Sequence, residues 1–255
     1  MLSNVILTEG KIKLEKRIYA GIDLTTRKAE RKMRFIEAGI KIIGINGYRS
    51  ATLRALCSEA GLTERYFYES FCSTETLFLA VLDHLTLDFK TRLLALIKLH
   101  TRPQNGAEQS KDQNLAKQTD LARLALSLYF TEVRNPVFAR ITLIEVLGMS
   151  PTVDQKYIEN TREFSVLVTQ IIRAIEPDIR IEPQDEEIVG TALVGSIITA
   201  ATGWMLQGYP YSIEQMVNNC LKILTGTARQ LISSAVQDNV IPVATSAMSK
   251  PMSAP

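Results

Sequence analysis

Apolar residues recur along this chain at the three- and four-residue spacing of amphipathic helices, and Gly, Pro and Asn break the pattern into about nine segments. The expected fold class is all-α. A first helix runs from Thr25 or Thr26 to about Ile45, with Met33, Ile36, Ile40 and Ile43 on one face and Asn46-Gly47 as its stop. Leu53, Leu56, Cys57 and Ala60 mark one face of a second helix, which Gly61 can end in the left-handed conformation. Two residues later Thr63 can cap a third, short helix through its hydroxyl. Ser73 caps a long fourth helix, Glu75 suits the positive end of its dipole, and Leu77, Val81, Leu85 and Phe89 carry its apolar face toward Leu99.

Residues 101–119 are polar, contain Pro and Gly, and read as a surface loop. Further helices follow over Asp120 to Arg134, from Pro136 to Gly148, and over Thr152 to Ile175, which Glu176-Pro177 ends. The stretch from Pro183 to Gly208 is apolar almost all round. Its length admits a membrane span. Thr191, Ser196, Thr199 and Thr202, with no flanking basic cluster, favour a helix buried between its own core and a partner subunit. Gly195, Thr199 and Gly203, four apart, allow close backbone approach there. The capping box Ser212 to Gln215 opens a last helix whose inward face holds Met216, Val217, Cys220, Leu221 and Leu224.

A chain of 255 residues, 46% hydrophobic and 22% charged, has room for a small head and a larger body. The boundaries read as an extension over 1–24, a head over 25–72, a body over 73–237 and a disordered tail over 238–255. The net charge of +2 says little, yet Arg27, Lys28, Arg31, Lys32, Arg34, Lys41, Arg49 and Arg54 face only Glu30 and Glu37 in the head. That local excess suits phosphate binding. Lys11, Lys13, Lys16 and Arg17 make a second basic cluster, either an arm that touches DNA or an extension that packs on the first helix. Cys57, Cys72 and Cys220 lack metal-ligand spacing and read as buried thiols of a cytoplasmic protein. The N-terminus lacks the order of a secretory signal.

A phosphate-cradling Gly loop, a G-x-S-x-G elbow and an H-E-x-x-H site are all missing, and the two histidines, His84 and His100, stand alone on the fourth helix. The chain is expected not to be an enzyme, and no metal or cofactor is expected. Two helices joined by a short Gly-containing turn form a helix-turn-helix, whose second member lies in the major groove. On that short helix Thr63, Glu64, Arg65, Tyr66 and Tyr68 offer hydroxyls, a guanidinium and a carboxylate to phosphates and base edges, or form a solvated face.

Residues from about Arg31 to Phe78, roughly a fifth of the chain, resemble the DNA-binding domain of the tetracycline-repressor (TetR) family. The likeness rests on Gly47 and Tyr48, Thr52, Ala60 and Gly61, Thr63, Tyr68, Phe71, Ser73, Glu75 and Leu77. It departs at Thr74, where the family commonly has a phosphate-contacting Lys, and at Ser70 and Cys72. The resemblance implies a three-helix head that binds double-stranded operator DNA through Arg49, Thr52, Arg54, Thr63, Glu64, Arg65, Tyr66, Tyr68, Ser73 and Thr74. It further implies a helical body that binds an unknown small-molecule effector and pairs two copies, the fourth helix carrying ligand state to the head. Phe89, Tyr129, Phe130, Arg134, Phe138 and Trp204 are the candidate ligand contacts, unless they are plain core. Gly195, Thr199, Gly203, Val217, Leu221 and Leu224 are the candidate homodimer contacts. No membrane partner is expected. The alternative is a helical ligand- or protein-binding module that has lost DNA reading, with Thr74 as its support.

Overall fold

The computed structural model describes residues 6–100, 111–175, 179 and 181–238. Within them every regular element is helical: α1 (Ile6–Asn46), α2 (Leu53–Ala60), α3 (Glu64–Ser70), α4 (Thr74–His100), α5 (Lys111–Val133), α6 (Pro136–Ala139), α7 (Pro151–Ile175), α8 (Pro183–Leu206) and α9 (Ile213–Asp238). A 3₁₀ turn, Tyr48–Ser50, follows α1, and α6 runs on as a π-helix over Arg140–Ile144.

Three boundaries differ from expectation. The first helix begins at Ile6, so Thr25 and Thr26 lie inside it and residues 6–24 continue it instead of preceding it. A residue that can cap a helix does not oblige one to start when the backbone ladder continues through it. Its buried face is set by Phe35, Ile36, Ala38 and Ile43, while Met33 is exposed. Likewise α5 starts at Lys111, because residues 111–119 contain no Pro or Gly, and the remainder of the expected loop lies outside the described residues. The helix expected from Pro136 to Gly148 is α-helical for one turn only before widening. The expected break at Glu176-Pro177 and the tail beyond Asp238 also lie outside the described residues.

Two cores form. The smaller joins α1 to α4 around Phe35, Leu56, Phe67, Phe71, Leu77 and Phe78, and takes in Ile141, Val146 and Val153 from the body. The larger fills the body around Phe130, Ile172, Ala201 and Trp204. Because α4 contributes Leu77 and Val81 to one core and Phe89 and Leu93 to the other, it is common to head and body. By length and composition the segment Gln184–Leu206 is apolar enough to cross a bilayer, with a mean hydropathy of 1.6. Its Leu193, Val194, Ile197, Ala201 and Trp204 are buried in the protein, which is how a core helix of this composition behaves.

Candidate functional site

Thr52 caps α2 by accepting the Ala55 N–H at 3.2 Å. Gly61 ends that helix at φ 59°, and its own N–H and that of Leu62 return to the Cys57 and Ser58 carbonyls. An L-residue would be strained here, and a Cβ would meet the Arg34 guanidinium at 3.0 Å. The turn sets the direction of α3. Phe67 then locks its rotation, buried edge-on against Phe35 at 5.3 Å and next to Phe71 at 5.8 Å.

With Phe67 turned inward, Thr63, Glu64, Arg65 and Tyr68 point outward and are exposed. Thr63 stands at the N-cap, but its hydroxyl makes no capping bond, contrary to expectation. Arg65 is 85% exposed and pairs along the helix with Glu69, Nε to Oε1 3.1 Å. Tyr66 is half-buried beneath the Arg31 guanidinium, 4.4 Å from the ring centre. Arg49, Thr52 and Arg54 are exposed beside the turn between α1 and α2. Cys57 is half-buried, its thiol pushed up by burial and then by Glu64, Cys220 is buried, and Cys72 is exposed, so only Cys220 fits the expected buried thiol.

At the start of α4 both hydroxyls are already engaged. Ser73 accepts the Thr76 N–H at 3.1 Å and meets the Thr76 hydroxyl at 2.8 Å, and the Thr74 hydroxyl lies 3.2 Å from that of Tyr48. Thr74 thus ties α4 to the turn after α1, a different role from the lysine it replaces. His84 and His100 are exposed, and a ring nitrogen of His100 bonds the Leu96 carbonyl of its own helix.

Head and body meet tightly at the end of α1. Gly44 sits against Val137 so closely that a Cβ would lie 2.3 Å from a Val137 methyl. Arg140 donates to the Ile45 carbonyl at 2.9 Å and to Glu145 at 3.2 Å. Glu145 in turn accepts the Tyr48 N–H at 3.0 Å, and Ser150 donates to Glu75 at 3.1 Å. Sequence reasoning singled out neither Arg140 nor Glu145, since nothing local announces a contact across about a hundred residues.

Thr142, Leu143 and Val146 of this same segment line a body cavity of about 130 Å³ between α4, α5, α7 and α8. Three of the six expected ligand contacts are there: Phe89, Tyr129 and Phe138. The other three are elsewhere. Phe130 and Trp204 are packed edge-on in the core at 5.8 Å, with the Trp204 N–H donated to the Tyr211 carbonyl. Arg134 is exposed and lies over Trp204 and Tyr209. Lining residues the sequence did not suggest include Thr86, Tyr157, Asn160, Thr161 and Phe164, the last four on the inner face of α7. The Tyr129 hydroxyl is buried without a hydrogen-bond partner, and burial pushes the phenol well above its usual range, with Tyr157 and Cys220 adding to the push.

Of the expected dimer contacts, Thr199 is exposed and a Cβ at Gly195 would meet nothing. Gly203 is half-buried. Val217, Leu221 and Leu224 are buried in the protomer's own core. Among the described side chains, Ile188, Leu206 and Ile223 are the large apolar ones that α8 and α9 leave exposed.

Residues 35–81 match the model of the bacterial regulatory proteins, tetR family. No curated protein matches the chain. Among solved structures, the transcriptional regulator FadR from Bacillus subtilis, in complex with stearoyl-CoA, superposes with a TM-score of 0.60 at 19% identity, over 75% of this chain and 96% of that one. FadR from Bacillus halodurans does so with a TM-score of 0.61 at 15% identity, over 77% and 95%. SmeT, the repressor of the Stenotrophomonas maltophilia multidrug efflux pump SmeDEF, gives 0.56 at 15%, over 77% and 89%. The likeness in these structures is one of fold, and the matched sequence covers α2 and α3 with the end of α1 and the start of α4. Residues 35–81 thus carry the sequence match to the tetR family, on an all-helical body that shares the fold of these solved regulators.

Proposed function

We propose that the protein is a homodimeric repressor that leaves its operator when a small molecule fills the body cavity. Residues 25–72 act as the reading head and 73–237 as the ligand-binding and pairing body. The observation that carries this reading is the outward face of α3, where Phe67 anchors the helix and Thr63, Glu64, Arg65 and Tyr68 stand free of the core. Arg65 gives up little to reach DNA, because an exposed i,i+4 pair with Glu69 is worth only about 0.3–0.5 kcal/mol. Arg49, Thr52 and Arg54, beside the helix, are placed to hold phosphates and fix its register. With Ser73 and Thr74 engaged internally, backbone N–H groups at the start of α4 take the phosphate role of the missing lysine.

Two copies pair through the outer faces of α8 and α9, with Gly195, Thr199 and Gly203 at the close approach. Their α3 helices then enter major grooves about 34–36 Å apart, or a multiple of that. A ligand releases DNA only if it prefers the state that does not bind DNA. The segment from Arg140 to Val146 supplies a route, since one side of it lines the cavity while Arg140 and Glu145 hold the end of α1. Repression by SmeT and the stearoyl-CoA bound to FadR support both halves of this reading.

A second reading, a helical binding module that no longer reads DNA, draws on Thr74, which is bonded to Tyr48 and leaves no lysine there. A mobility-shift titration against the DNA flanking the gene, at two salt concentrations with nonspecific competitor, separates the two. A discrete, competitor-resistant, salt-sensitive band is the expected outcome. Competitor-sensitive binding alone, with no sequence recovered by selection from random duplexes, favours the second reading.

A further inference from the structure

One carboxylate of the body reaches into the head. Glu145 follows the π-helix, whose closing bond runs from the Glu145 N–H to the Arg140 carbonyl at 3.0 Å. In a regular α-helix residues five apart point about 140° away from each other, whereas i→i+5 bonding makes those five residues close to one turn. The widening therefore stacks Arg140 and Glu145 on one face, where the Arg140 Nε–H donates to Glu145 Oε1 at 3.2 Å. The second oxygen, Oε2, accepts the Tyr48 N–H at 3.0 Å, and Arg140 Nη1 donates to the Ile45 carbonyl at 2.9 Å. Gly47 makes the room, since a Cβ there would lie 3.0 Å from Oε1. With its side chain only 18% exposed, Glu145 is shielded from much of the water that weakens surface pairs.

The turn that this carboxylate holds is the one that carries Arg49. The Tyr48 ring is fixed edge-on to Phe78 at 5.5 Å, with its hydroxyl 3.2 Å from that of Thr74. The Ser50 and Ala51 N–H groups close the turn onto the Gly47 and Tyr48 carbonyls, and Thr52 then caps α2. Between these fixed points Arg49 stands exposed. Taking the head to bind DNA as proposed above, we infer that Glu145 is a positioning residue for that binding: it caps the Tyr48–Ser50 turn from the body and so holds Arg49 against the phosphate backbone. The first N–H of a helical turn has no acceptor within the turn, and a carboxylate that supplies one stiffens the backbone from which Arg49 projects. Arg49 brings the charge and Glu145 brings the order, so less freedom is lost when the phosphate contact forms. Val146, the next residue, lines the body cavity, which places this cap where a shift of the cavity wall is felt.

The test uses the full-length protein and a duplex recovered by selection from random sequences. If the wild type selects none, the DNA-binding reading fails and the role of Glu145 fails with it. Where the wild type binds, Glu145→Ala is expected to weaken affinity for that duplex about tenfold, the weight of one charge-assisted hydrogen bond. The slope of log K against log salt should fall by about one per protomer, the mark of a lost phosphate contact. Arg49→Ala should do the same, and the double mutant should be no worse than either single change, because Glu145 acts through Arg49. Glu145→Gln keeps an oxygen for the Tyr48 N–H and should recover most of the affinity. Without DNA, exchange of the Tyr48 amide hydrogen should quicken in Glu145→Ala and return toward the wild-type rate in Glu145→Gln. Losses that add in the double mutant, or a salt slope that Glu145→Ala leaves unchanged, would overturn the proposal. Should Glu145→Ala not fold, Glu145→Gln decides alone: a folded Gln variant that binds as poorly as Arg49→Ala rules out the cap.

Discussion

Gly44 packs directly against Val137 where head meets body, and this contact sets a measurable coupling. In Gly44→Ala the new methyl would lie 2.3 Å from Val137 Cγ1, 2.9 Å from its Cβ and 3.1 Å from its Cα. Turning the Val137 side chain cannot relieve contacts with Cβ and Cα, so the start of α6 must withdraw from α1. Overpacking of this kind costs about 1–3 kcal/mol, against roughly 0.8–1.0 kcal/mol gained from replacing Gly by Ala inside a helix. The net expectation is a loss of up to about 2 kcal/mol. Val137→Ala removes the nearest methyl but keeps the 2.9 Å contact, so rescue is partial. The double mutant should therefore be more stable than the sum of the single effects by about 1 kcal/mol. Denaturant unfolding at one fixed protein concentration measures the cycle, the fixed concentration removing mass-action shifts from any dimer. Effects that add within about 0.3–0.5 kcal/mol would refute the contact.

Arg65→Ala should cost about 1–3 kcal/mol on the specific operator if the guanidinium reads a base, and a similar loss on all sequences would assign it to phosphate instead. Its thermal stability should barely move, because the pair with Glu69 is exposed. Phe67→Ala should destabilise the head by about 3–5 kcal/mol, read by denaturant unfolding, since the ring is buried against Phe35 and Phe71. Tyr129 makes stability depend on pH at the alkaline end. Its raised pKa means the folded state holds the proton longer, so the contribution is complete below about pH 10 and is lost above it at about 1.4 kcal/mol per unit. Melts of Tyr129→Phe should fall less steeply with pH there, and equal slopes would contradict the burial.

The parts of this molecule that were legible in the sequence are those specified by neighbours in the chain. Gly61 with φ 59° and the Thr52 cap act within one turn, and the buried Phe67 is presented by the same few residues that define α3. Composition near each position is enough to place such features. The cavity is different. Tyr129 and Phe130 are adjacent and equally aromatic, yet one lines the space and the other fills the core behind it. What separates them is about 100° of helical rotation, set by how α5 packs on α7 and α9. No local pattern encodes that angle.

The same limit explains the dimer residues. A stripe such as Val217, Leu221 and Leu224 states that one face of α9 is covered, and says nothing of whether the cover is the same chain or another. The protomer's own core supplies it here, and what α8 and α9 leave over is a sparser set, Ile188, Leu206 and Ile223 beside Gly195 and Thr199. Arg140 carries the argument furthest. In the sequence it is an ordinary helical arginine, whereas in the fold it joins the Ile45 carbonyl to Glu145, on a segment whose Thr142 and Leu143 line the cavity. Under the proposed function, a ligand that moved that wall would strain or release the end of α1, the kind of two-state shift that packed interfaces undergo. The residues proposed to read DNA are thus announced by local sequence, while those that would make the reading conditional arise only from the packing between helices.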